Sequence, residues 1–390
     1  MRLRTAALVA GGLAVAALAR VGGGTLIARS ERRLNGVGSP PPYRPSEPAR
    51  EIHERSTVVD LHADSLLWGR DLLLRGDRGH VDVPRLVEGG VALQVFAVTT
   101  KVPRNLNIER NDDRSDDILL VAIGRGWPPA TWRSLLARAE YQAGRLQAFA
   151  DRSGGALTVI RRQGELDAFL ARRATDPGIV AGLLAIEGAH ALEGDPANVD
   201  RLAAAGYRMV GLSHFFDNDF GGSAHGIAQG GLTALGRELI GALENASIVV
   251  DVAHASARTI DDVLAVATRP VVASHTGVRG TADNARNLSD DQLRGIAATG
   301  GMVGIGFWPT ATGGEDVGSI AGAIAYAVSV VGVQHVGLGS DFDGAVPVPM
   351  DVSGLALVTE ALIADGFHEA AIERIIGGNA IALLGRCLPA

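Results

Sequence analysis

A single cysteine, Cys387, in 390 residues rules out any intrachain disulfide and any zinc site built on thiolates, and it leaves the compartment open. Basic runs are missing beyond the first forty positions and the formal net charge is −7, which argues against nucleic acid as a partner. No internal repeat stands out, and low-complexity sequence is confined to one Pro-rich stretch. Charged residues make up only 20% against 47% hydrophobic ones, a composition too apolar for disorder. The length suffices for one large domain or two ordinary ones.

The N-terminus is distinctive. Met1–Arg4 is basic, and "TAALVAGGLAVAALA" from Thr5 to Ala19 carries no charge. This pattern is expected of a signal peptide or an N-terminal membrane anchor over residues 1–28, and hence of an extracytoplasmic protein that meets the membrane only there. Ala17-Leu18-Ala19 resembles a small-x-small cleavage site. Residues 29–50, with "GVGSPPPYRPSEPAR" from Gly36 to Arg50, read as a Pro-rich tether, and residues 51–390 as the folded domain it carries.

From residue 51 one rhythm repeats. Short apolar, β-branched runs end in polar or Gly residues and are followed by amphipathic stretches. Eight runs stand at 57–62, 91–99, 179–188, 207–214, 247–254, 269–276, 301–307 and 335–342. Helices are expected at 197–205, 231–245, 258–267, 289–299, 317–331 and 352–364, with a closing helix after 373. Such alternation predicts an α/β protein with a parallel sheet covered on both sides, and eight units predict a (β/α)8 barrel of the TIM type. No Gly-rich dinucleotide fingerprint follows the first run, which disfavours a doubly wound sheet. The gap from 100 to 178 exceeds one crossover and reads as an elaborated connection near the mouth, with helices at about 112–124 and 129–151.

The ends of these runs carry the chemistry. The first ends in His62 and Asp64, the third in Glu187, the fourth in His214, the fifth in His254, the sixth in His275 and the eighth in Asp341 and Asp343. In a parallel barrel these ends converge on one face. Converging carboxylates repel one another unless a cation neutralises them, so a metal site is expected. Imidazole and carboxylate without thiolate suit zinc, and less selectively manganese, iron or cobalt. Of the remaining histidines, His53 reads as structural, His190 and His225 as loop residues near the mouth, His80 and His368 as surface, and His335 as lying at the opposite end. Arg286, in "DNARNLSDD", stands where it could clamp a carboxylate or pair with Asp283 or Asp290.

Taken together, "DLHAD", "AIEG", "GLSH", "VDVAHAS", "VVASHT", "ARNLSDD" and "GLGSDFDG" resemble the membrane dipeptidase (renal dipeptidase) family of zinc peptidases, over about residues 51–385. The resemblance implies a barrel of the metal-dependent hydrolase type that cleaves small dipeptides, including those with a C-terminal D-residue. It implies two zinc ions per chain, bridged by Glu187 and a hydroxide, with His62 and Asp64 on one and His254 and His275 on the other. By the same likeness His214 binds substrate and supports the tetrahedral intermediate, Arg286 takes the C-terminal carboxylate, and Asp341 transfers a proton. The disulfide and lipid signal of the mammalian members are lacking here, so their linked, lipid-anchored dimer is not implied; a homodimer stays open. Alternatives are a metal-dependent amidohydrolase of non-peptide amides or lactams, or an inactive metal-binding barrel. The first is disfavoured because no lysine closes a run and the first pair is His-x-Asp.

Overall fold

The computed structural model describes residues 23–390; residues 1–22, with most of the expected signal or anchor, lie outside the described residues. Among the described residues no helix is long and apolar enough to cross a membrane.

Nine strands are present among the described residues: β1 (Val58–Ala63), β2 (Val91–Thr99), β3 (Leu157–Val159), β4 (Val180–Glu187), β5 (Tyr207–Gly211), β6 (Val249–Asp251), β7 (Val271–Thr276), β8 (Met302–Ile305) and β9 (Val336–Leu338). Eight of them close a parallel barrel in the order β1–β2–β4–β5–β6–β7–β8–β9, with β9 returning to β1. The expected (β/α)8 barrel is therefore the fold.

Side-chain alternation explains why the strands read as unbroken apolar runs. In β4, Ala181, Leu183 and Ala185 join an inner cluster with Leu93 and Val95 of β2, Met209, Val249, Val272 and Met302. The alternate residues Val180, Leu184 and Ile186 join the outer core shared with the helices. Both faces are buried, so a polar residue there needs a built partner, and each buried aliphatic side chain contributes roughly 1.5–3 kcal/mol. Leu166 and Phe169 of helix Gln163–Arg173 join Leu383 and Leu384 of helix Asn379–Cys387 in the inner cluster, closing the end where strands begin.

Several helices start where the sequence provides a cap. Ser256, Thr233 and Asp316 accept from backbone N–H groups at the starts of helices Ala257–Val266, Ala234–Asn245 and Val317–Val331. Ser289 and Gln292 form a reciprocal capping box on helix Asp290–Ala298.

The structure departs from expectation in three places. The excursion after β2 contains helices Asp117–Gly124 and Leu135–Arg152, but it also includes β3 and helix Gln163–Arg173, so it returns along the far end of the barrel rather than staying at the mouth. A three-residue strand is too short to show a period. The stretch 36–50, expected as a tether, lies along the body. Val37 bridges Val348, the Tyr43 hydroxyl accepts from Asp351 N at 2.9 Å, and helix Glu47–Arg55 begins within it. His80, expected at the surface, is buried. Its Nδ1 accepts from Asp343 N at 2.9 Å, and its ring lies 5.5 Å from Phe342. His53 is structural as expected: its Nε2–H donates to Gly89 O and its Nδ1 accepts from Thr359 Oγ1, both at 2.9 Å.

The excursion is pinned by one buried cation. Arg138 Nε donates to Thr131 O at 2.6 Å, and Nη1 donates to Thr100 O at 2.7 Å and Asp116 Oδ2 at 2.6 Å. Replacing it by Met leaves two carbonyls and a carboxylate without their donor. We expect Arg138→Met to cost about 3–5 kcal/mol in urea unfolding. A loss below about 1 kcal/mol would show that water replaces the guanidinium freely.

Candidate metal centre

The inward series Ala181, Leu183, Ala185 of β4 reaches Glu187 as its next member. On β2 the register partner of Glu187 is Thr99. Just beyond Glu187 the chain turns with no room for a side chain. Gly188 takes φ +99°, and a Cβ there would run into the His190 ring and the Cβ of His214. His254 and Asp341 adopt φ +62° without being glycine, a strain on the order of 1–3 kcal/mol each that persists only where the surroundings hold it.

Glu187 lies at the middle of the site. Its Oε1 is 3.1 Å from His254 Nε2, 3.4 Å from His62 Nε2 and 3.5 Å from His275 Nε2, and its Oε2 is 3.3 Å from His214 Nε2. His62 Nε2 is also 3.4 Å from Asp64 Oδ2. Three buried triads have ligand atoms mutually within 4.8 Å: His62–Glu187–His275, Glu187–His214–His254 and His62–Asp64–Asp341. The triads overlap, with Glu187 in two of them and His62 in two. The His62 and His275 rings are 3.7 Å apart, and Asp341 groups with His62 and Asp64.

A polar layer orients these donors. Asp251 accepts from Ala253 N and Ser274 N, each at 2.9 Å, and from Ser274 Oγ at 2.5 Å. With its proton spent on Asp251, Ser274 Oγ accepts from His275 Nδ1–H at 3.0 Å, which leaves the His275 Nε2 lone pair facing the centre. Asp60 likewise accepts from Ser340 N at 2.7 Å, Ser340 Oγ at 2.8 Å and Gln94 Nε2 at 2.6 Å. Thr99 Oγ1 is 2.7 Å from Glu187 Oε2 and 3.0 Å from Asp64 Oδ1, so its single proton serves one carboxylate at a time.

Electrostatics bear on what the site accommodates. Burial, followed by the neighbouring Asp64 and Glu187 charges, holds the Asp341 carboxyl well above the usual carboxylate range. Burial opposes ionisation of Glu187 too, but the surrounding His214 and His62 outweigh it and hold Glu187 well below its ordinary value. Against the pull of burial, Glu187 and Asp64 hold His62 well above its ordinary value. Burial drives His254 and His275 well below theirs, so both offer lone pairs at neutral pH. Their Nε2 atoms are only 2.9 Å apart, which suits two lone pairs sharing a cation. The donor set fits a metal: neutral imidazoles, a low-pKa central carboxylate, and further carboxylates that cannot all ionise without added positive charge.

Around these donors lie residues of other kinds. Arg286 is buried; its Nη2 donates to His275 O at 2.6 Å, and its Nε has no hydrogen-bond partner among the described residues. Its guanidinium stands 5.6 Å from the Trp308 ring, and burial lowers it to about 10. Asp290 pairs instead with Arg294 and Tyr326. His190 and His225, read as loop residues near the mouth, are buried at this site. Burial lowers His190 to about 3 and His225 to about 4. His225 Nδ1–H donates to Ile108 O at 2.6 Å, and its ring is 5.3 Å from that of His254. Asp343 is turned away from the centre, towards Ser65 and Arg70.

Sequence reasoning missed Thr99, Asp251 and Ser274. For Asp251, and for Asp60, a signal was present: a carboxylate inside an apolar run that both faces of a sheet bury needs a built partner. Thr99 and Ser274 gave none, because hydroxyls at strand ends are common.

The family model described as membrane dipeptidase (peptidase family M19) matches residues 46–387. An uncharacterised protein from the pqqA 5′ region of Klebsiella pneumoniae is 32% identical, over 54% of this chain and 84% of its own length. The dipeptidase aclJ of Aspergillus oryzae is 30% identical over 54% of this chain, and the match spans about half, 52%, of that relative. A solved metallopeptidase from Rhodobacter sphaeroides, liganded with a phosphinate mimic of the dipeptide L-Ala-D-Ala, is 27% identical. It superposes with a TM-score of 0.70 over 85% of this chain and 99% of its own. With its barrel, its cluster of imidazoles and carboxylates and a match over nearly the whole described length, the chain belongs to the membrane dipeptidase family.

Proposed function

We propose that this chain, a metal-dependent hydrolase of the membrane dipeptidase family, is a zinc-dependent dipeptidase. The observation that carries the reading is Glu187, ringed by four imidazole nitrogens at 3.1 to 3.5 Å, with the buried Arg286 beside it. His62 and Asp64 would hold one zinc ion and His254 and His275 a second, with Glu187 shared between them. Zinc bound there supplies Lewis acidity, which lowers the pKa of a bound water towards ~7.

The chain's own residues supply the rest. Arg286, whose Nε is buried without a hydrogen-bond partner among the described residues, binds the substrate's C-terminal carboxylate, which selects short peptides by fixing one end against the metal donors. His214, whose pKa burial lowers against the pull of Glu187 and Asp64, donates to the oxygen that gains charge in the tetrahedral intermediate. Asp341, whose carboxyl burial and its carboxylate neighbours raise well above the usual range, gives its proton to the departing amine. Dipeptides with a C-terminal D-residue fall within this class, in keeping with the L-Ala-D-Ala mimic bound to the Rhodobacter relative. The uncharged stretch Thr5–Ala19 supports an extracytoplasmic location.

Purified protein is expected to release free amino acids from dipeptides, to lose this activity to a chelator and to regain it with zinc, with two zinc ions per chain by elemental analysis. His254→Ala is expected to retain one. Full turnover by a metal-free preparation would refute the scheme. For Arg286→Ala, kcat/KM on dipeptides is expected to fall about 30-fold or more, mainly through KM, while C-terminally amidated dipeptides change little. Equal losses on both substrates would remove the clamp.

A further inference from the structure

Residues 23–39 precede the stretch matched by the family model, which starts at 46, and the scheme above uses none of them. Their first turns pack on helix Asp117–Gly124 and Arg125, Arg32 pairs with Asp77, and the remainder reaches the loop after β9 that carries Asp341. The helix over 23–34 turns Glu31 inward, where it is fully buried. Glu31 Oε1 accepts from Arg70 Nε at 2.5 Å, and Oε2 accepts from Arg78 Nε at 2.7 Å. Arg70 passes the connection on, because its Nη2 donates to Asp343 Oδ2. One residue past the helix, Asn35 Oδ1 accepts from Ala345 N at 2.8 Å. Gly36 O accepts from Val348 N at 3.0 Å, and Gly38 N donates to Val348 O at 2.8 Å.

That loop needs holding. Asp341, Asp343 and Ala345 adopt φ of +62°, +63° and +62°, so alternate residues without glycine take the left-handed conformation. Such a backbone persists only where its surroundings impose it. The loop also has no slack: Gly344 N donates to Asp341 O at 3.1 Å, and a Cβ on Gly344 would run into the Asp341 carboxylate. Phe342 O meanwhile accepts from Asp64 N at 2.8 Å, which ties the same loop to the end of β1.

We propose that residues 23–39 are a brace that holds the Asp341 loop in its strained form, with Glu31 and Asn35 as positioning residues. Glu31 acts through Arg70 and Asp343, and Asn35 acts directly on Ala345. The inference rests on the reading of Asp341 as the proton donor. Neither residue hydrogen-bonds to a candidate metal donor or to Arg286. Loosening the brace therefore displaces Asp341 while leaving substrate binding and metal in place.

The test uses the full chain with Asn35→Ala, Asn35→Asp and Glu31→Gln. Asn35→Ala is expected to lower kcat for dipeptides about tenfold, as misplacement of a reacting group does, with KM within about twofold and zinc content unchanged. Asn35→Asp keeps the acceptor for Ala345 N and is expected to restore kcat. Amide hydrogen exchange over 341–349 is expected to quicken in Asn35→Ala and Glu31→Gln, and not in Asn35→Asp. Wild-type kcat in Asn35→Ala would overturn the brace. So would a joint fall of kcat, KM and zinc content that Asn35→Asp does not repair. If the wild-type chain cleaves no dipeptide, the functional reading fails, and the exchange of 341–349 still decides the brace: unchanged exchange in both Asn35→Ala and Glu31→Gln would overturn it.

Discussion

Asp64, Glu187 and Asp341 share one buried rim, and burial together with mutual repulsion forbids all three from carrying charge unless positive charge joins them. Much of the upper barrel is arranged around that constraint. Imidazoles from β1, β5, β6 and β7 or the turns just after them face Glu187, and burial keeps His254 and His275 neutral as lone-pair donors. Asp251 and Asp60 lie among the supporting groups. They accept only hydrogen bonds from backbone, Ser and Gln donors, so they orient the donors without bringing cationic side chains of their own.

The site is also strained, at His254 and at the loop after β9. A barrel can hold such backbone because its strands are anchored on both sides. The loop after β9 hangs from one strand of three residues, Val336–Leu338, and draws support from elsewhere: Trp68 Nε1 on Asp343 O, Ser65 on the Asp343 carboxylate, and the N-terminal segment through Arg70 and Ala345. The loop after β9 and the N-terminal segment are thereby linked through an ion-pair network with no exposed carboxylate, Glu31–Arg70–Asp343.

Much of this was legible in the chain. Eight apolar runs alternating with amphipathic stretches were enough for the barrel, because a strand buried on both faces is mostly apolar along its length. His62, Asp64, Glu187, His214, His254, His275 and Asp341 stood out because polar groups closing such runs violate the pattern that packing alone would leave. His80 and Asp343 show the limit. His80 sits in a polar stretch that reads as surface, and Asp343 reads as one of the chemistry-bearing strand ends, yet they bond to each other in the interior, 263 residues apart in sequence.

The order of apolar runs and the residue types at their ends were settled by the sequence alone, since burial and periodicity act within a few neighbouring positions. Which donors face which was settled only by the closed barrel. The overlap of His62 with His275, the proton spent by Ser274 on Asp251, and the reach of Asn35 to Ala345 all depend on distances between segments far apart in the chain. Local pattern carries no information about such distances until strand register and barrel closure set them.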